Sequence, residues 1–271
     1  NVRLKVAAEV TDNISVDFMY SGGDRDGPLD HYALFTKNFD LVSATIPQLP
    51  GAGSTVEPLE VYATGVNSDL RYELASLTVE WDLGFATLKS ITANQDFKDR
   101  ANQDRDVTNL EIIDSTDDTN IESFTQEFNL VGSSEKLDWV LGAYYLTEDW
   151  DRRTIQNLRL PVLGFPLPST LDFNQSKYET DSISLFVDGT WNISEKMRIS
   201  AGVRRTEDDI SEFHNNTFYI VLPDSTALPV LVACDNPTDE EWGATTIRAG
   251  GQYDLTADST VYLSYSEGYK A

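Results

Sequence analysis

Apolar and polar residues alternate with period two along most of this chain, and helical periodicity is almost absent. The clearest run is Met197–Arg204. There Met197, Ile199, Ala201 and Val203 share one face, and Arg198, Ser200, Gly202 and Arg204 share the other. Ile183, Leu185, Val187, Gly189 and Trp191 repeat the pattern, as do Ile14, Val16, Phe18 and Tyr20. It returns in Leu4, Val6, Ala8 and Val10, in Ala75, Leu77, Val79 and Trp81, and in Val261, Leu263 and Tyr265. The segments 85–99 and 241–254 alternate less cleanly.

The runs come in pairs. Within a pair the connection is short and rich in turn formers: Asp12-Asn13, Asp82–Gly84, Gly132–Lys136, Asn192–Glu195 and Thr256–Asp258. Between pairs the connections are long, over 25–69, 101–120, 153–177 and 214–240. The pattern predicts five hairpins, about ten antiparallel strands, several extending to about 10–15 residues, where soluble strands average about 5–6 and a tilted membrane-crossing strand needs about 9–11. One apolar stripe, one polar stripe, short turns at one end and long loops at the other form the signature of a transmembrane β-barrel.

Aromatic placement agrees. Trp81, Trp139, Trp191 and Tyr253 each lie within a few residues of a short turn and on the apolar stripe. An interfacial girdle belongs there, its ring edges reaching wet headgroups. The alternative is four core aromatics of a soluble sandwich.

Charge modifies this picture. Forty-five acidic against twenty basic residues give a net charge of −25, which argues against a nucleic-acid partner. The acids gather at the long-loop end: Asp24, Asp26 and Asp30; Asp96, Asp99, Asp104 and Asp106; Glu148, Asp149 and Asp151; Glu207, Asp208 and Asp209. They form a hydrated outer surface or one that collects cations. The absence of any metal-ligand spacing such as an EF-hand loop favours hydration and predicts no metal site. Apolar residues make up 40% of the chain, yet no apolar run approaches the 18 or so residues of a membrane helix. The longest, Ala227–Cys234, is broken by Pro229. Cys234 is the only cysteine, so there is no internal disulfide framework. His31 and His214 sit in unrelated loop-like contexts. Neither a nucleophile elbow, an HExxH, a P-loop nor a complete GxGxxG is present, and Gly51-Ala-Gly53 fits none of them. The expectation is no catalytic residue and no cofactor.

Three stretches carry a resemblance. The first is Phe124-Thr-Gln-Glu-Phe-Asn-Leu-Val-Gly followed by Leu137-Asp-Trp-Val-Leu-Gly-Ala-Tyr-Tyr. The second is Ser182-Ile-Ser-Leu-Phe-Val-Asp-Gly-Thr-Trp followed by Met197-Arg-Ile-Ser-Ala-Gly-Val-Arg-Arg-Thr. The third is Val261-Tyr-Leu-Ser-Tyr-Ser-Glu-Gly-Tyr-Lys-Ala. In order and spacing they resemble barrel hairpins of TonB-dependent outer-membrane receptors, of the iron-complex or siderophore type. The resemblance covers about 124–271, with a compatible pattern in 1–100. It implies a plugged 22-stranded barrel, of which residues 1–271 would be an internal section lacking the plug and the C-terminal strands. It implies a bacterial outer-membrane location and uptake of a scarce solute, most simply a ferric siderophore, energised through TonB. The partners would be TonB, the lipid and lipopolysaccharide of the outer membrane, and the iron complex. Ligand contacts are expected among loop aromatics: Tyr32, Phe35, Phe39, Phe165, Phe218 or Tyr219. Incompleteness also follows from physics, because an open ten-stranded sheet in lipid exposes two edges of unpaired backbone groups at several kcal/mol each. A passive porin-like barrel would show the same strands, and a soluble all-β binding domain would bury the stripe instead.

Overall fold

The computed structural model describes residues 1–27, 67–105, 112–163, 167–233 and 237–270. These form eleven strands: β1 (Val2–Thr11), β2 (Ile14–Gly27), β3 (Asn67–Asp82), β4 (Thr87–Asp104), β5 (Ile113–Ser133), β6 (Leu137–Leu158), β7 (Ser169–Ser194), β8 (Met197–Val221), β9 (Ala227–Ala233), β10 (Thr238–Thr256) and β11 (Ser259–Ser266). A 3₁₀ turn, Leu160–Leu163, follows β6. Every pairing is antiparallel, and ten strands lie in the order β1-β2-β3-β4-β5-β6-β7-β8-β10-β11. This is the expected up-and-down wall of about ten strands, with β9 added as a side branch on β8. Among the described residues no helix is long and apolar enough to cross a membrane.

The register joins the stripes into one surface. Val6 opposes Phe18, Phe18 opposes Leu77, and Trp81 opposes Leu88. Farther along, Leu88 opposes Leu130, Leu130 opposes Leu141, and Leu141 opposes Val187. Val187 then opposes Val203, Val203 opposes Ile247, and Gly251 opposes Leu263. Directly opposed residues in an antiparallel pair point to the same side, so all these residues occupy a single apolar face. It is bare: Leu4, Phe128, Leu141, Leu185, Val187, Val203, Ile247 and Leu263 are all exposed. The buried apolar side chains among the described residues are only Ala86, Ala101 and Ile112. A soluble sandwich would bury this face against a second sheet. No described residue covers it here, and the sandwich expectation fails.

Strand length is where the sequence expectation falls short. Strands β5, β6, β7 and β8 have 21, 22, 26 and 25 residues, about twice what crossing a bilayer requires. Much of the expected 101–120 and 153–177 loops is paired strand: β4 reaches Asp104 and β5 begins at Ile113; β6 reaches Leu158 and β7 begins at Ser169. The expected 214–240 loop contains the end of β8, all of β9 and the start of β10. These outer segments carry Thr, Asn, Gln, Ser and Asp on both faces, so no apolar period marks them. The backbone ladder forms nonetheless, because its hydrogen bonds satisfy the main-chain N–H and C=O groups whatever the side chains are. The strand in Ala227–Ala233 tolerates Pro229 because β9 is an edge, and Pro229 sits beside a register shift in the pairing with β8. The β8–β9 turn contains Ser225 at φ 68°, a left-handed position. Gly84, at φ 85°, turns β3 into β4, and its amide donates to the Asp82 carboxylate at 2.7 Å.

Candidate functional site

The face opposite the apolar one is mixed, with charged and polar side chains among scattered apolar and aromatic ones such as Val131, Val140 and Phe186. At the height of the bare apolar band it carries complete ion pairs. Arg248 of β10 donates two hydrogen bonds to Asp188 of β7, at 2.7 and 2.6 Å. Asp188 reaches it across Gly202 of β8, where a Cβ would stand 2.2 Å from the carboxylate. Arg198 pairs with Asp254 at 2.8 Å. Arg204 lies over the Phe186 and Tyr144 rings, 5.5 and 5.8 Å from their centroids, and donates to Ser184 Oγ at 2.8 Å. Among the described residues it has no carboxylate partner. The tip of the Phe186 ring in turn lies against Gly142, where a Cβ would be 2.1 Å from it. A larger residue there has to displace the ring.

Toward the outer end the same face becomes aromatic and ionisable. Ile121, Trp150, Tyr178 and Glu212 form one cross-strand row over β5–β8. The next row outward holds Thr119, Arg152, Ser176 and His214. The row after that is Asp117, Thr154, Asn174 and Asn216. Trp150 and Tyr178 have ring centroids 5.0 Å apart, and His214 meets Tyr178 edge-on at 5.6 Å. His214 Nδ1 is 2.9 Å from Ser176 Oγ, and its Nε2 is 3.2 Å from the Tyr178 hydroxyl and also hydrogen-bonds Glu212.

Asp117 is 5% exposed. It accepts from Thr154 Oγ1 at 2.7 Å and Arg152 at 3.0 Å, with Arg105 at 3.5 Å. Burial pushes its carboxyl up. The Thr154 and Arg152 hydrogen bonds and the two guanidinium charges outweigh that, so it titrates below the ordinary aspartate range. Glu212 is also lowered, first by the Tyr178 hydroxyl and then by His214.

Ser176, His214 and Glu212 have the parts of a nucleophile, a base and a carboxylate, but not the surroundings. Ser176 sits mid-strand with β6 and β8 on either side. Its neighbouring amides belong to the ladders and leave no free pair of donors for an oxyanion. Among the described residues no three His, Cys, Asp or Glu side chains converge as a metal cage.

The expected ligand aromatics are only partly placed. Tyr32, Phe35, Phe39 and Phe165, like Cys234 and His31, lie outside the described residues. Phe218 and Tyr219 are not loop residues as expected but lie in β8, paired with Leu231 and Pro229. Phe218 is on the polar face, four residues beyond His214, and Tyr219 is on the other. His214 is likewise a strand residue rather than a loop one. The residues that do assemble, Trp150, Tyr178, Glu212 and His214, were missed. The signal for them was phase. Counting in twos from Gly142 reaches Trp150, from Ser184 reaches Tyr178, and from Arg204 reaches His214. Trp81, Trp139, Trp191 and Tyr253 all lie on the apolar face beside the short turns. Trp81, Trp191 and Tyr253 are about half exposed, and the Trp139 ring covers Gly132.

A sheet with one bare apolar face, an ion-paired opposite face and strands of this length is a wall of a membrane-spanning β-barrel. The family is identified by the sequence model "TonB dependent receptor-like, beta-barrel", which matches residues 8–271, and the chain belongs to that family. No curated protein matches it in sequence. Solved structures with the same fold include the ferric yersiniabactin uptake receptor FyuA of Yersinia pestis (14% identity, TM-score 0.62, covering 92% of this chain and 34% of the receptor). The siderophore receptor PiuA of Acinetobacter baumannii is similar at 14% identity and TM-score 0.66, covering 97% and 41%. The ferric-catecholate import receptor Fiu of E. coli K12 in its open form is similar at 14% identity and TM-score 0.58, covering 97% and 51%. The chain thus spans about a third to a half of those receptors' length.

Proposed function

We propose that this wall belongs to a receptor of the bacterial outer membrane that takes up an iron complex, with energy delivered through TonB. Family membership carries the reading, and the solved structures of the same fold named above are receptors for ferric complexes. The apolar face then meets lipid and lipopolysaccharide, with Trp81, Trp139, Trp191 and Tyr253 at one membrane interface. The polar face lines the lumen, and residues 1–271 form part of the barrel domain. Energy coupling acts through a plug outside this wall. Ligand arrives between the outer halves of β5–β8, where Trp150, Tyr178 and His214 stand. An ion-paired lumen wall suits a filled barrel, because desolvated charges need partners where a moving domain excludes water.

The test is uptake of radioactive iron, supplied as defined ferric complexes, by cells with and without the protein. Accumulation that stops when TonB is deleted or the proton gradient is collapsed is expected. Uptake that merely equilibrates and ignores both treatments would overturn the reading in favour of a passive, porin-like barrel.

A further inference from the structure

Three donor atoms of different chemistry converge on the lumen-side face beyond the apolar band: the Tyr178 hydroxyl, a Glu212 carboxylate oxygen and His214 Nε2. The hydroxyl is 3.2 Å from the imidazole nitrogen, and Glu212 bonds that same nitrogen. Strand register holds them, since Tyr178 directly opposes Glu212 and His214 follows two residues on along the same face. Ser176 Oγ, 2.9 Å from Nδ1, fixes the ring from behind. The His214 and Glu212 side chains are 44% and 35% exposed, so a ligand can reach them. Of the charged groups nearby, Arg152 is engaged by Asp117. On β10, Thr238 opposes Glu212, and Glu240 accepts from Trp242 at 3.1 Å.

We propose that Tyr178, Glu212 and His214 ligate ferric iron directly, so that this site takes iron complexes whose coordination sphere is open or held by weak oxygen donors. The inference rests on iron being the cargo. Phenolate and carboxylate are hard anionic donors, and imidazole suits iron as well. The step is a ligand substitution without electron transfer. The phenol proton leaves to solvent, Fe–O bonds to Tyr178 and Glu212 and an Fe–N bond to His214 form, and three waters or weakly held chelate oxygens depart. In the free site the Glu212 carboxylate accepts from His214 Nε2–H; on binding, that proton moves to Nδ1, where it is donated to Ser176 Oγ, and the freed Nε2 lone pair takes the metal. A chelator that fills every position on the metal would find here only a polar contact.

The experiment adds ferric nitrilotriacetate to the intact protein in detergent and reads visible absorption. A phenolate-to-iron charge-transfer band is expected. It should vanish in Tyr178→Phe, and the affinity should fall at least about tenfold in Glu212→Gln and His214→Gln. Heat-modifiable gel migration checks that each variant has folded. If Tyr178→Phe does not fold, Glu212→Gln carries the test, because it keeps the side chain's size. No band in the wild type, a band unchanged in Tyr178→Phe, or unchanged affinity in Glu212→Gln would each overturn the site. TonB-dependent uptake that is identical in wild type and Tyr178→Phe for every ferric complex would overturn the ligation and leave the transport reading standing. A band that depends on Tyr178 in a protein with no energised uptake would support ligation and sink the transport reading.

Discussion

The inner and outer halves of β7 and β8 follow the same hydrogen-bond pattern and opposite side-chain rules. From Trp191 to Ile183 every outward residue is apolar except Gly189, and from Met197 to Val203 the opposed strand matches it. Beyond Ile183 on β7 the outward positions become Asp181 and Glu179, and beyond Val203 on β8 they become Arg205, Glu207 and Asp209. The inner half is specified by solvent, because hydrocarbon on one side and water or protein on the other demand strict alternation. The outer half, polar on both faces, shows no such demand. It is held by its ladder and by polar clusters such as Asp117–Thr154–Arg152. Stability is thus enforced by side-chain polarity in one half and by local networks in the other.

Placing one charge in each half tests this contrast most severely. Val187→Arg, midway along the outward apolar stretch, should destabilise the folded barrel by about 2–4 kcal/mol, read by denaturant titration in lipid. Glu179→Arg, on the same face of the same strand but outside the band, should change it by no more than about 0.5 kcal/mol. Equal costs at both positions would mean that the apolar face is not in lipid.

A smaller effect is expected from packing on the lumen face. Gly142→Val must displace the Phe186 ring and should cost about 1–3 kcal/mol. Gly251→Ala, on the opposite, apolar face, meets nothing within 4 Å and should be near neutral on the same assay. Loss of equal size at both would show that strand entropy, not the ring, sets the requirement for glycine.

The smallest effect is confined to the outer half and to acid. The Asp117 carboxyl is lowered in the folded state, so its contribution is complete above the unfolded value near about 3.9. It fades as pH falls through the lower folded value. Hydrogen-exchange protection of outer β5 and β6 should therefore hold above about pH 5 and drop below about pH 4. Asp117→Asn should lower protection at neutral pH and flatten the acid limb, while the inner half of β7 stays unchanged. An acid limb that survives the substitution would assign it to other carboxylates.

Much of the fold was legible in the chain. Val187 and Val203 announce their face by alternation, and the five short turns sit where Asn, Asp, Ser and Gly cluster. The order of strands followed from those turns and from the rule that consecutive antiparallel strands pair. The Trp150–Tyr178–His214 cluster was not legible as a site. Its residues lie 28 and 36 positions apart, in segments polar on both faces, where nothing in composition separates a strand from a loop. The charge of −25 said little about Asp117, because it is the two arginines brought beside it that turn one acid among 45 into a structural centre.

By itself the sequence determined the strand period, the apolar face, the tight turns and the family, because each is written in local patterns with a fixed repeat. Only the tertiary structure decided how far the strands continue beyond the apolar band, that β9 folds back onto β8, and which side chains become neighbours. Those depend on register between distant strands. Register is set where the apolar faces align and is then inherited, one ladder step at a time, by the polar segments beyond.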